Sequence, residues 1–189
     1  MNLPNKLTIL RIILVPVFMV LLLNFNMYTL AGVVFVVASL TDLADGKIAR
    51  KYNLVTNFGK FADPLADKLL VCAALIGLCA IGRLGSSVIL GAWATFIIIA
   101  REFMVTGIRL VAAADGTVIA AGMSGKIKTT VQMITIVYIL FSELLVNIGL
   151  PVIVSDWISN ILVIASVIMT VYSGAEYMIQ NKSLLNTNK

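Results

Sequence analysis

Four aspartates carry the chemistry that is legible in this chain. Asp42 and Asp45 lie three residues apart and Asp63 and Asp67 lie four apart, so each pair shares one face of a helix. A short connection brings the two pairs toward each other. Two unit charges about 4 Å apart repel by about 4 kcal/mol at an effective dielectric of about 20, so the ionised group needs compensation. A hard divalent cation with oxygen ligands, Mg²⁺ or Mn²⁺, supplies it, with water and a substrate phosphate completing the shell. One of the four also fits a simpler role, because Asp63 before Pro64 has the pattern of a helix N-cap and first-turn proline. The residues between the pairs narrow the ligand. Gly46 follows the second aspartate, Arg50 lies four residues on, and Gly59 closes the polar connection. Glycine on a helix lets a bulky group approach the backbone, and the arginine fork suits phosphate oxygens. Carboxylate-held metal, an open backbone and an arginine together describe a pyrophosphate site.

The elements that must position these residues are apolar. Of 189 residues, 60% are hydrophobic and only 12% charged, against about 25% charged in an ordinary soluble domain, and mean hydropathy is +1.04. That balance excludes a cytosolic globule, a disordered chain, a disulfide scaffold and a coiled coil. With His absent, imidazole catalysis and His-ligated metals are excluded too. Six stretches approach the roughly 20 apolar residues that a span requires: about Leu7 to Leu23, Met27 to Ala49, Asp63 to Ile81, Val88 to Ala114, Ile127 to Leu145 and Pro151 to Ile179. Lipid permits only helices or closed barrels, and these runs do not alternate. The expected fold is therefore all-α, a polytopic bundle of six transmembrane helices forming one integral-membrane domain over residues 1–189. The polar start, Asn2 to Lys6, is expected to lie along the interface. No small-x-small cleavage pattern follows Leu23, so the first stretch reads as a retained span. Cys72 and Cys79, seven apart in one apolar run, read as structural.

Every Lys and Arg except Arg83 falls at the N-terminus, the second-to-third connection, the fourth-to-fifth connection with its flanking turns, or the C-terminus. Short-looped membrane proteins keep such residues on the cytoplasmic side, which places both termini and the aspartates there, in a cell membrane. The pI of about 9.4 reflects this topology and anionic lipid, and no aromatic-interleaved basic patch speaks for nucleic acid. Asp115-Gly116 reads as a turn, and Ser166, Thr170 and Gly174 form a small-residue stripe suited to close helix packing, within the chain or across a dimer. Lys47, Lys51, Lys60 and Lys68 surround the carboxylates, where phosphate contact and topology with headgroup contacts account for them about equally, and they are left out of the site.

A second cationic cluster is separate from Arg50. Arg101 and Arg109 lie toward the cytoplasmic end of the fourth span, and Lys126 and Lys128 open the fifth. Arg101 is deep enough to need an anionic partner. Its neighbour Glu102 points about 100° away round the helix and is expected to be a poor one. A doubly charged acceptor phosphate fits the cluster, whereas serine would leave it unpaired.

Asp42-x-x-Asp45-Gly46-x-x-Ala49-Arg50, eight residues, Gly59, three residues, Asp63, three residues and Asp67 resembles the signature of the CDP-alcohol phosphotransferases, with every fixed position present. Pro4 to Arg11, Ala100-Arg101-Glu102 and Gly125 to Met133 resemble the branch of that family whose acceptor is glycerol 3-phosphate. The resemblance implies that Asp42 and Asp63 bridge two metal ions, that Asp45 completes one site, and that Asp67 joins the other and accepts a proton. It places the CDP-diacylglycerol contacts at Asn5, Lys6, Leu7, Thr8, Gly46, Arg50, Thr56 and Gly59. It further implies a homodimer of six-span protomers open to the cytoplasm, which converts CDP-diacylglycerol and sn-glycerol 3-phosphate to phosphatidylglycerophosphate and CMP. The alternatives are a sibling transferase using inositol phosphate, serine or phosphatidylglycerol, and a small divalent-cation carrier. A carrier would not require Gly46, Arg50 and Gly59 at their positions.

Overall fold

The computed structural model describes residues 2–51, 57–114, 119 and 122–182. These form six helices: α1 (Leu3–Leu23), α2 (Tyr28–Lys51), α3 (Asn57–Ala80), α4 (Val88–Ala114), α5 (Met123–Asn147) and α6 (Val152–Gln180). They occupy the six expected stretches. Among the described residues, four are long and apolar enough to cross a membrane: Asn5–Leu23, Val88–Ala113, Met123–Asn147 and Val152–Gln180. The other two, α2 and α3, are 24 residues each, about 36 Å at a rise of about 1.5 Å per residue. In α2 the apolar stretch among the described residues is Tyr28–Asp42.

Two expectations about helix starts are corrected. The polar N-terminal segment is not separate, because Leu3 already begins α1, with proline in its first positions, where the missing N–H costs nothing. Helix α3 begins at Asn57, so Gly59, Asp63 and Pro64 lie inside it and Asp63 is no N-cap. Packing explains the earlier start. Ala62, Ala66, Leu70, Ala74 and Leu78 are buried at every fourth position, so the face that seats α3 already exists upstream of Asp63.

The core runs through all six helices. Phe18 and Leu22 of α1, Phe35 of α2, Leu75 and Leu78 of α3, and Ile136, Ile139 and Leu140 of α5 are almost fully enclosed. The Phe18 and Phe35 rings meet at 5.9 Å and 50°. Glycine permits close approach between helices: a Cβ on Gly32 would lie 2.8 Å from the Phe141 ring, and one on Gly77 2.6 Å from Leu22. Val33, Val37, Phe96, Phe103, Ile161 and Ile168 face outward, as a lipid-facing surface requires.

Polar contacts join α5 to α6. The Thr135 and Ser166 hydroxyls are 2.8 Å apart, and Thr170 is fully buried, so the small-residue stripe of α6 is spent inside the protomer. At the end of the bundle remote from the aspartates, Arg83 bonds Glu143 at 3.0 Å and stacks 3.8 Å from the Tyr28 ring. A cavity of about 630 Å³, walled by Arg83, Glu143 and Asp156, opens there.

Candidate active site

Helix α1 supplies the frame. Asn5, Thr8 and Arg11 share one face and are buried, continuing toward the signature end the stripe that Phe18 and Leu22 form farther along. Thr8 donates through Oγ1 to Asp63 Oδ1 at 2.5 Å. Arg11, at 0% exposure, holds Asp42 Oδ1 at 2.6 Å and donates through Nε to the Ala38 carbonyl at 3.3 Å. Two residues three apart on α1 thus grip one aspartate of α2 and one of α3. A buried cation of this kind requires a partner, and Asp42 provides it. In sequence, the signal for Arg11 is its place inside the first apolar stretch, where a cation requires a partner.

Asp67, one turn beyond Asp63, is exposed and lies in the electrostatic field of Asp42, Lys68, Arg11 and Glu102. Among the described residues, Arg11 and Thr8 each engage a single oxygen of Asp42 and Asp63, leaving the second oxygen of each carboxylate to a ligand. Hard oxygen donors from two helices, oriented from behind by a guanidinium and a hydroxyl, suit Mg²⁺ or Mn²⁺. Asp45, Gly46 and Arg50 lie on the last turns of α2, and their side chains fall outside the described residues, as does Thr56. Gly59 is buried in the first turn of α3, and Lys6 and Leu7 are on the first turns of α1, Lys6 exposed and Leu7 half-buried.

Beside Asp67 opens a cavity of about 380 Å³, lined among others by Asp67, Lys68, Arg101, Glu102, Arg109 and Lys126. The fourth signature aspartate and three of the four residues of the second cationic cluster therefore face one space. Arg109 donates to the Tyr177 hydroxyl at 3.4 Å. Arg101 threads between helices, with its Cγ 3.1 Å from where a Gly174 Cβ would stand. Lys128 takes a different place. It is 1% exposed, bonds Glu102 Oε1, and walls a smaller adjoining cavity of about 50 Å³ with Asp67, Glu102 and Gln132. The expectation for Glu102 is corrected: it pairs with Arg101 Nη1 at 3.1 Å as well as with Lys128. The 100° between neighbouring residues separates Cβ directions, and two long side chains close that gap.

The profile of the CDP-alcohol phosphatidyltransferase family matches residues 1–172, and the chain belongs to that family. Over 99% of its length it is 46% identical to the CDP-diacylglycerol–glycerol-3-phosphate 3-phosphatidyltransferase of Bacillus subtilis (strain 168), of which 98% is covered. It is 38% identical to the protein of the same name from Rickettsia typhi (strain ATCC VR-144 / Wilmington), over 93% of this chain and 94% of that one. A probable phosphatidylglycerophosphate synthase of Mycobacterium tuberculosis (strain H37Rv) is 36% identical, over 94% of this chain and 80% of the relative.

Proposed function

We propose that this chain transfers the phosphatidyl group of CDP-diacylglycerol to sn-glycerol 3-phosphate, giving phosphatidylglycerophosphate and CMP. The observation that carries the reading is the shared cavity, in which Asp67 meets Arg101, Arg109 and Lys126. One end suits an acceptor phosphate and the other an acceptor hydroxyl. The full-length similarity to enzymes named for this reaction supports the same acceptor.

The family is generally dependent on a divalent metal, and Asp42, Asp45, Asp63 and Asp67 would hold two such ions. Held there, such ions would supply charge neutralisation for the pyrophosphate and for the departing CMP. The chain's own residues do the rest. Thr8 and Arg11 orient the aspartates. Asn5 to Thr8, Gly46, Arg50, Thr56 and Gly59 receive the nucleotide and pyrophosphate. Arg101, Arg109 and Lys126 seat the acceptor phosphate, and Lys128 balances the charge of Glu102 beside them. The acceptor hydroxyl oxygen forms a bond to the lipid-side phosphorus as the bond from that phosphorus to the CMP oxygen breaks. CMP leaves with the electron pair, and the hydroxyl proton passes to Asp67.

All six helices cross the membrane in this reading, as a single domain with both termini and the site on the cytoplasmic side of the plasma membrane. The concentration of Lys and Arg at the signature end supports that orientation, and the family resemblance supports a homodimer. The test is CMP release by purified protein with CDP-diacylglycerol, Mg²⁺ or Mn²⁺, and glycerol 3-phosphate, inositol phosphate and serine offered together. Phosphatidylglycerophosphate is the expected lipid product. A preference for either other acceptor, or no CMP at all, overturns the reading.

A further inference from the structure

The acceptor cavity holds one carboxylate besides Asp67, and simple attraction between cations and a phosphate gives it no purpose. Glu102 places an anion where an anionic acceptor is to bind. Its Oε1 nevertheless receives two charged donors, Arg101 Nη1 from its own helix and Lys128 Nζ from α5. The Lys128 side chain is 2% exposed, so its charge is spent on Glu102 rather than turned to the larger cavity. Arg101 has one bonded anchor, at Nη1, and runs close to two glycines. Glu102 takes Nη1, its stem passes over Gly174 with 3.1 Å to a Cβ placed there, and Nη2 lies 3.6 Å from the Cβ position of Gly125, in the cavity wall. A long guanidinium side chain has many rotamers, and a contact displaced by about 1 Å can cost about 10²-fold in rate. We propose that Glu102 is a positioning residue, which clamps one edge of the Arg101 guanidinium so that the other edge faces the acceptor phosphate. Lys128 serves this clamp instead of binding the phosphate. The proposal rests on reading the cavity as the glycerol 3-phosphate site.

The sign of one substitution separates clamp from charge. Glu102→Gln removes a negative charge from the cavity while keeping the side chain's shape. Were net charge the governing factor, the KM for glycerol 3-phosphate would fall. The clamp requires it to rise, by about tenfold or more, with kcat and the KM for CDP-diacylglycerol within about threefold of wild type. Glu102→Asp, which keeps the charge on a shorter arm, should recover part of the loss. Because Glu102→Gln leaves the Lys128 ammonium buried without its carboxylate, Glu102→Gln/Lys128→Met supplies the control that removes both charges. It should keep a thermal transition near wild type and still show the raised acceptor KM. Lys128→Met alone leaves the bond from Arg101 to Glu102 in place and should raise that KM by clearly less than Glu102→Gln does. An unchanged or lower acceptor KM in Glu102→Gln overturns the proposal. So does recovery of acceptor KM in the double variant, which would make the effect one of stability alone. If wild type makes no phosphatidylglycerophosphate, the functional reading fails, and that result is distinct from each of these.

Discussion

Arg11 on α1 and Asp42 on α2 form a 2.6 Å ion pair, with the arginine fully enclosed and the aspartate side chain 35% exposed. The buried half is structural and the half-open one belongs to the signature, so a single contact links helix packing to the candidate site. Removing one partner of a fully buried pair costs about 3–5 kcal/mol, because a charge is left without compensation. The partial exposure of Asp42 lowers that figure here. Arg11→Met should therefore lower the thermal transition clearly and reduce CMP release by at least about 100-fold, roughly 2.7 kcal/mol of barrier. Arg11→Lys keeps the charge but loses the Ala38 bond, and should fall between. Wild-type activity in Arg11→Met would mean that Asp42 needs no support from α1.

Thr8 does for Asp63 what Arg11 does for Asp42, with a neutral donor. Valine fills the same volume without the hydroxyl. Residues that orient metal ligands from behind typically contribute about 10–100-fold to affinity or activity. Thr8→Val should raise the Mg²⁺ concentration needed for half-maximal rate by an amount in that range, with little change in thermal stability. A metal titration identical to wild type would remove Thr8 from the site.

The signature aspartates themselves should separate by role. Asp42→Asn and Asp63→Asn should each leave less than about a tenth of wild-type turnover at saturating Mg²⁺, because amides bind hard cations less strongly than carboxylates. Asp67→Asn should lower the rate by about 10²–10⁴-fold, the range for losing a general base, while CDP-diacylglycerol binding changes far less. Rate and binding falling together in Asp67→Asn would make that residue chiefly a metal ligand.

The placement of the signature aspartates on two helices was legible because helix periodicity is local. Spacings of three and four placed Asp42 with Asp45 and Asp63 with Asp67 before any tertiary contact was known. The start of α3 was not legible, since Asp63-Pro64 imitates a helix start while the reason for the earlier one, the Ala62-to-Leu78 face against its neighbours, is tertiary. The contact between Arg11 and Asp42 depends on which helices pair, and spacing within one span holds no record of that. Glu102 was misjudged for another reason: the angle between adjacent residues was applied to side chains long enough to bend across it.

Gly174 illustrates how a packing residue can govern a site. Its neighbour across the helix interface is the Cγ of Arg101, 3.1 Å from a Cβ placed there, so an added methyl must push the arginine stem by a few tenths of an ångström. Gly174→Ala should raise the KM for glycerol 3-phosphate by about 3–10-fold, within the range that small displacements produce, and leave CDP-diacylglycerol KM unchanged. A shift in both KM values would show a general loosening of α4 against α6 instead.

The sharpest test of the acceptor site is Arg101 itself. Its side chain is 11% exposed, shares the Asp67 cavity, and can offer the paired N–H groups that phosphate oxygens accept. Bonds to charged groups contribute about 1.5–3 kcal/mol each, so Arg101→Ala should raise the glycerol 3-phosphate KM by about 10–100-fold. Arg101→Lys keeps the charge without the fork, and should recover only part of that loss. Arg109→Ala should act in the same direction but more weakly, because that side chain is exposed and its charge is better screened. Raising the ionic strength should then narrow the gap between Arg109→Ala and wild type more than the gap for Arg101→Ala. The measurement is initial CMP release against acceptor concentration at two salt concentrations. An Arg101→Ala variant with wild-type acceptor KM would remove the cationic cluster from the reaction.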